Sequence, residues 1–236
     1  MLDAIPDRLA DVRARIARSA GRAGRDPSTI RLVAVSKTFS ADYVRAAAAA
    51  GQIDFGENKV QEALAKMDAT RDLPLRWHLI GHLQTNKAKR AGGRFDAVQS
   101  VDSEPLLERI NEGASAAGRI VEVLVQMDLA GEITKFGASE PAVRGIFEAS
   151  RQLAGVRIKG LMIIPPAADD PEEARPWFAR LRAIRDRLRL DGIPGPMLCE
   201  LSMGMSHDFE VAVEEGATIV RVGSAIFGSR SYEPPI

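Results

Sequence analysis

The sequence holds one cysteine, Cys199, among 236 residues, so no internal disulfide can form and nothing points to secretion. Cys199 lies in the apolar run MLCEL, and its expected role is buried, inert packing. An excess of positive charge is also missing. The 32 basic and 32 acidic residues cancel, which argues against a general binder of nucleic acid or anionic membranes. No apolar run approaches the length of a bilayer-spanning helix. The Arg-rich N-terminus does not read as a transit peptide, because Asp3, Asp7 and Asp11 interrupt it and such peptides are poor in acids. Linkers, low-complexity tracts and internal repeats are absent from the sequence. The expectation is one soluble, cytoplasmic, monomeric domain over 1–236, with neither nucleic acid nor membrane among its partners.

What is present is alternation. Leu2, Ile5, Leu9, Val12 and Ile16 recur at helical spacing, so 1–25 reads as an amphipathic helix packed on the barrel formed by the rest of the chain. Strand signals then appear at 31–37, 53–58, 75–82, 95–102, 120–128, 156–164, 196–202 and 218–228. Helical segments separate them. Two of these, 41–51 and 83–92, stop at glycine, and Ser103 and Asp170 stand where helix N-caps belong. The strands are nearly continuous apolar runs, as burial on both faces requires. Eight strand-helix units with short connections imply parallel strands and predict a single (β/α)8 TIM barrel carrying an extra N-terminal helix. A doubly wound open sheet is the alternative. The proline-rich tail, 231–236, is expected to be loose.

In such a barrel the chemistry sits at the C-terminal ends of the strands. Ser36 and Lys37 follow the apolar run Leu32–Val35 directly, and the end of a buried strand is an unexpected place for an ammonium group. Glu57 and Asn58 end the second strand, and His78 and Gly81 the third. The SMGMS loop, 202–206, follows the seventh strand, and Gly223 and Ser224 follow the eighth. Loops after strands seven and eight form the usual phosphate site of this barrel, and glycine and serine supply close backbone N–H groups and hydroxyl donors. A lysine in a partly dry pocket has a lowered pKa, and its neutral amine can attack an aldehyde to give a Schiff base. An aldehyde that carries a phosphate is implied, and pyridoxal 5′-phosphate (PLP) fits. Arg221 shares a strand face with Gly223. If that face is inward, the guanidinium can meet the pyridine nitrogen, leave it unprotonated and weaken the ring as an electron sink. Pairing of Lys37 with Glu57, or of Arg221 with Glu200, would be purely structural alternatives.

Other candidates carry less. His78 and His82 have the i, i+4 spacing of a zinc helix, but they flank a strand end with Gly81 between them, so no metal site is expected. His207 is placed at the start of the seventh helix. Lys135 is a rival for the Schiff base, yet its polar, glycine-flanked loop should keep it solvated and charged. The arginines of 175–189 read as a solvated helix face.

Taken together, AVSKT, FGENKVQE, WHLIGHLQTNK, TKFG, KGLMIIPP, LSMGMSHDFEVAVEEGAT and VRVGSAIFG resemble the pyridoxal phosphate homeostasis protein family. The resemblance spans nearly the whole chain, in order. It implies a PLP-binding barrel similar to the N-terminal domain of alanine racemase. It places the PLP lysine, and hence a lysine aldimine, at Lys37. The phosphate contacts fall on Ser202, Met203, Gly204, Ser206, Gly223 and Ser224, the pyridine contact on Arg221, and a neighbour of the cofactor on Asn58. Lys59 departs from relatives, which often carry an aromatic or another residue there. The implied function is PLP homeostasis, holding the cofactor and delivering it, with PLP-requiring apo-enzymes as partners and without an established catalytic activity. An amino-acid racemase and a Schiff-base aldolase remain the competing readings. Racemisation needs a second acid/base group opposite Lys37. No second domain is expected after the eighth strand, and the two tyrosines, Tyr43 and Tyr232, are expected outside the site.

Overall fold

The computed structural model describes residues 2–131 and 136–228. Lys135, Tyr232 and the tail 231–236 lie outside the described residues. The order of elements is α1 (Ile5–Arg22), β1 (Arg31–Val35), α2 (Ala41–Ala49), β2 (Asp54–Glu57), α3 (Val60–Ala69), β3 (Arg76–Leu79), α4 (Thr85–Gly92), β4 (Ala97–Val101), α5 (Glu104–Ala116), β5 (Val121–Met127), α6 (Glu140–Ser150), β6 (Val156–Ile163), α7 (Arg175–Leu190), β7 (Glu200–Ser202), α8 (Phe209–Glu214), β8 (Ile219–Val222) and α9 (Ser224–Phe227). The strands pair in sequence order, all parallel, and β8 returns to β1 through Arg31–Ile219, Leu32–Val220, Val33–Arg221 and Ala34–Val222. Closure of the barrel leaves no sheet edge exposed.

Alternation along each strand divides the interior in two. Outward side chains such as Ala34, Phe55, Trp77, Leu79 and Val98 meet the helices in one continuous apolar layer. Inward apolar side chains form a separate small cluster, Val33, Leu124, Met162 and Ile219. The helices present apolar stripes whose members recur every three or four residues. In α1 these are Ile5, Leu9, Val12 and Ile16, and in α7 Phe178, Leu181, Ile184 and Leu188, all buried. Burying each such side chain contributes roughly 1.5–3 kcal/mol. Charged anchors fix α1 against α8: Arg15 meets Glu210 and Arg22 meets Glu214, each at 2.8 Å, and Arg25 donates to the carbonyls of Val213 and Ala217. Among the described residues no helix is long and apolar enough to cross a membrane.

Several expectations shift by a turn or more. The eighth apolar run does not stay extended to 228: β8 ends at Val222 and α9 follows, because an apolar run alone does not distinguish strand from helix. β7 is only Glu200–Ser202, preceded by a 3-10 turn over Gly195–Met197, so Cys199 falls outside it. Its sulfur lies near the carbonyls of Lys159 and Pro196, and the residue is exposed rather than buried. Asp170 caps a 3-10 turn, Pro171–Ala174, that leads into α7. Ser103 occupies the N-cap position of α5 without a side-chain capping bond. The α7 arginines are engaged: Arg175 reaches Glu172, Glu214 and Glu215, Arg182 reaches Glu215, and Arg180 and Arg189 donate to the carbonyls of Leu129 and Leu198.

Candidate functional site

A cavity of about 480 Å³ opens at the C-terminal ends of the strands, within the range of small-molecule sites. Val35 and Lys37 enter it from the end of β1, Asn58 from the end of β2, and Ile80, Gly81 and His82 from the end of β3. Met205, Ser206 and His207 line it after β7, Arg221 from within β8, and Gly223 and Ser224 after β8. Six of the residues singled out in the sequence, Lys37, Asn58, Ser206, Arg221, Gly223 and Ser224, therefore meet around one space.

Lys37 sits on a held turn. The next residue, Thr38, has φ 72°, a left-handed conformation that is uncommon for a β-branched side chain. Its amide donates to Glu62 of α3. Lys66, one turn further along α3, donates to Glu62 at 2.8 Å, to Glu57 at 2.7 Å and to the Ser36 carbonyl at 2.7 Å. Ser36 donates its hydroxyl to the same Glu57 oxygen at 2.6 Å. Strain of roughly 1–3 kcal/mol in such a backbone persists only where the surroundings impose it, and here α3 does so. Burial pushes the Glu57 carboxyl above its ordinary value against the opposing pull of Lys66 and Ser36. The Glu62 carboxyl is lowered: burial would raise it, but Lys66 and the Thr38 amide outweigh that. The lysine that meets Glu57 is thus Lys66, which the sequence pattern did not single out. A carboxylate closing a buried strand was the available signal, since such a group requires a cation.

Arg221 turns inward and is 3% exposed. It donates to the Ser202 hydroxyl at 2.6 Å and to the Ile163 carbonyl at 2.8 Å. Among the described residues no carboxylate forms an ion pair with it. Glu200, the partner considered from sequence, instead accepts from Thr218 and lies 3.8 Å from Arg31. Burial pushes the Arg221 guanidinium down to about 10, with Asp208 opposing that shift. A buried guanidinium whose hydrogen-bond acceptors among the described residues are neutral favours an electronegative guest in the cavity.

The two loops meet through Ser206. Its hydroxyl oxygen accepts the amides of Gly223 at 3.0 Å and Ala225 at 3.4 Å, which leaves its proton for a guest and marks where an anionic oxygen could take the same amides. Asp208 shapes this loop by accepting from the Met205 amide at 2.6 Å. Gly204 has φ 92°, and a Cβ there would lie 2.5 Å from that of Ala212, so only glycine allows the turn that brings Met205 and Ser206 to the cavity. Gly81 is needed for a close approach: a Cβ would lie 2.5 Å from the Asn58 carbonyl oxygen.

Three residues of the expected phosphate loop do not line the cavity. Ser202 is fully buried, accepts from Arg221 and donates to Gln99 at 2.6 Å. Met203 is fully buried in the apolar layer, with its amide on the Ile219 carbonyl. Gly204 lies behind the turn it permits, and its carbonyl accepts the Arg221 amide. His78 and Glu57 do not reach the mouth either. Glu57 points to α3, and His78 points into the barrel. His82 stacks on Phe136 with ring centroids 3.5 Å apart, so the two histidines diverge. His207 precedes α8 and its Nε2 lies 2.9 Å from the Asp169 carbonyl. Tyr43 packs with Phe39 and Phe227.

An amine-bearing side chain, hydroxyl and amide donors on two adjoining loops and a buried guanidinium fit a phosphorylated aldehyde whose ring carries a hydrogen-bond acceptor. Comparisons with known proteins agree with that chemistry. The chain matches the family model described as "Alanine racemase, N-terminal domain" over residues 8–231. The pyridoxal phosphate homeostasis protein of Aquifex aeolicus (strain VF5) is 42% identical over 226 residues, covering 96% of this chain and 98% of that one. Its namesake from Pseudomonas aeruginosa is 43% identical over 234 residues, covering 99% of both. PipY of Synechococcus elongatus PCC7942, solved with PLP bound, superposes with a TM-score of 0.83 at 41% identity, covering 95% of this chain and all of that chain. An alanine racemase from Corynebacterium glutamicum shares the fold, with a TM-score of 0.70 at 20% identity over 97% of this chain and 61% of its own.

Proposed function

Since this chain belongs to the pyridoxal phosphate homeostasis protein family, we propose that it binds PLP in the cavity at the barrel mouth and acts to hold the cofactor and hand it on. One observation carries the reading: Lys37, the Ser206–Gly223–Ser224 loops and a guanidinium with neutral partners share a single cavity. When bound, the cofactor supplies an aldehyde that condenses with an amine with loss of water. Lys37 is the amine held in place for it. Ser206 and Ser224 donate hydroxyls to the phosphate, joined by the loop amides, so the group is retained mostly by neutral donors. Asn58 flanks the ring. Arg221 can only donate to the ring nitrogen, which keeps that nitrogen unprotonated and the ring a weak sink for carbanion charge. That electronic setting disfavours transamination, and with no tyrosine among the described cavity residues to act as a second acid/base group opposite Lys37 we read the site as one that holds the cofactor and releases it to PLP-requiring apo-enzymes.

The test is direct. Stoichiometric PLP should give the visible band of a lysine-bound cofactor, and borohydride followed by peptide mapping should place the pyridoxyl group on Lys37. A label mainly on Lys135 would overturn the assignment. Incubation of the loaded protein with single amino-acid enantiomers should show little solvent deuterium entering at Cα. Exchange at ~1 s⁻¹ or faster, abolished by Lys37→Ala, would restore the enzyme reading.

A further inference from the structure

The inner face of the barrel holds a continuous line of polar side chains that the cavity itself does not account for. It starts at Asp54, at the opening of β2, whose Oδ1 lies 2.8 Å from Nε2 of His78. His78 Nδ1 lies 3.1 Å from the Gln99 side-chain nitrogen, the Gln99 oxygen 2.6 Å from the Ser202 hydroxyl, and that hydroxyl 2.6 Å from Nη1 of Arg221. His78, Gln99 and Ser202 are completely buried. The line therefore runs from the floor of the barrel, through β3, β4 and β7, to the guanidinium at the mouth.

Its direction is set by donor and acceptor chemistry. Arginine can only donate, so the Ser202 oxygen accepts and its single proton goes to the Gln99 carbonyl. The Gln99 amide then faces His78 with its NH2, so Nδ1 must accept. The ring proton sits on Nε2 and is donated to Asp54. Each group has one role, and the acceptor at the end of the line is a carboxylate. Burial would raise the Asp54 carboxyl, but the bond from His78, with Arg31 and Arg76 nearby, holds it below its ordinary value, so it is a carboxylate as the line requires. Arg31, Glu122, Lys159 and Glu200 surround the same floor, and Arg76 lies 3.8 Å from Asp54. Turning the Gln99 amide over would send two donors to Ser202 and place a proton on Nδ1. The tautomer of His78 therefore reports the polarity of the whole line.

We propose that Asp54, His78, Gln99 and Ser202 form a one-way hydrogen-bond relay that orients Arg221 in the cavity and fixes it as a donor to the bound ring. These are positioning residues, acting through Arg221, and the proposal rests on the PLP reading above. The relay explains why Ser202 is withdrawn from the cavity and why a histidine and a glutamine occupy the lumen where apolar side chains would otherwise pack.

Two measurements test it. In PLP-free wild-type protein near pH 7, long-range proton-nitrogen NMR should show His78 as the neutral Nε2–H tautomer. An Nδ1–H tautomer or an imidazolium would overturn the relay, whatever PLP does. In PLP titrations followed by the visible band, Gln99→Leu and His78→Leu should weaken binding by about three- to tenfold, the effect of one hydrogen bond. His78→Asn keeps an acceptor where Nδ1 stood and should recover most of that loss, although it gives up the contact with Asp54. Equal losses in His78→Asn and His78→Leu would show that His78 only fills space and would overturn the proposal. Absence of PLP binding by the wild-type protein would instead defeat the functional reading, and the tautomer would then still decide the relay.

Discussion

The layer between sheet and helices and the lumen of the barrel are built on opposite principles. The outer layer is apolar and continuous, with Phe95, Phe147, Phe178 and Phe209 fully buried in it. The lumen has an apolar cluster, Val33, Leu124, Met162 and Ile219, beside a column of polar groups leading to Arg221. Dispersion and burial hold the first region, where volume matters and direction does not. Hydrogen bonds hold the second, where a lost partner strands a buried group. Stability is therefore concentrated in the shell, and ligand chemistry in the lumen and at its mouth.

Substitutions can break or sharpen that division. The largest effect is expected for Phe178→Ala in the shell, a loss of about 3–5 kcal/mol in urea unfolding, with the PLP affinity of the folded protein changed by less than about twofold. A stability loss below about 1 kcal/mol would contradict the assignment of the shell as the main stabilising region.

The next effect blurs the boundary, because a charged cluster interrupts the shell beneath Lys37. Lys66→Met should destabilise by about 3 kcal/mol, since Glu57 is left buried without its cation. Glu57 already has a raised carboxyl value, and loss of Lys66 raises it further. A carboxyl raised on folding adds stability that is complete below its unfolded value and disappears as pH rises through the folded one. Glu62, lowered in the native protein, loses the partner that favours its charged form. The gap in melting temperature between variant and wild type should thus narrow as pH falls from about 8 to about 5. A gap that widens in acid would show the opposite linkage.

Paired replacement of Ser206 and Ser224 with alanine should weaken PLP retention well over tenfold, on the order of 1.5–3 kcal/mol, with little change in unfolding. Unchanged retention would place the phosphate elsewhere. Lys59→Ala should do least. Lys59 is exposed at the start of α3 and does not line the cavity, so retention should stay within about twofold, checked by dialysis of the loaded protein.

Much of the shell is legible in the sequence, because apolar runs such as Leu32–Val35 and stripes such as Phe178–Leu181–Ile184–Leu188 report burial directly. The barrel and the residues at its strand ends can be read from them. The lumen is harder. His78 reads as part of a strand end and hence of the mouth, yet Leu79 is the last residue of β3, and alternation sends Leu79 outward and His78 inward. Ser202 misleads in the same way. Gln99 carries no local signal, because its partners come from β3 and β7, far away in sequence. SAIFG is apolar enough for a strand but folds as α9, and the misplaced start of β7 hid the exposure of Cys199.

That exposed sulfur has a practical meaning. Cys199 precedes β7, so it opens on the floor side, opposite the cavity. Being the single thiol of the sequence, it offers one attachment point for a maleimide dye or a spin label, remote from Lys37 and its loops. A probe there could track loading and release of a guest without occupying the mouth. The same sulfur makes air oxidation a route to floor-to-floor covalent dimers, so preparations of the protein call for a reductant that carries no amine or aldehyde.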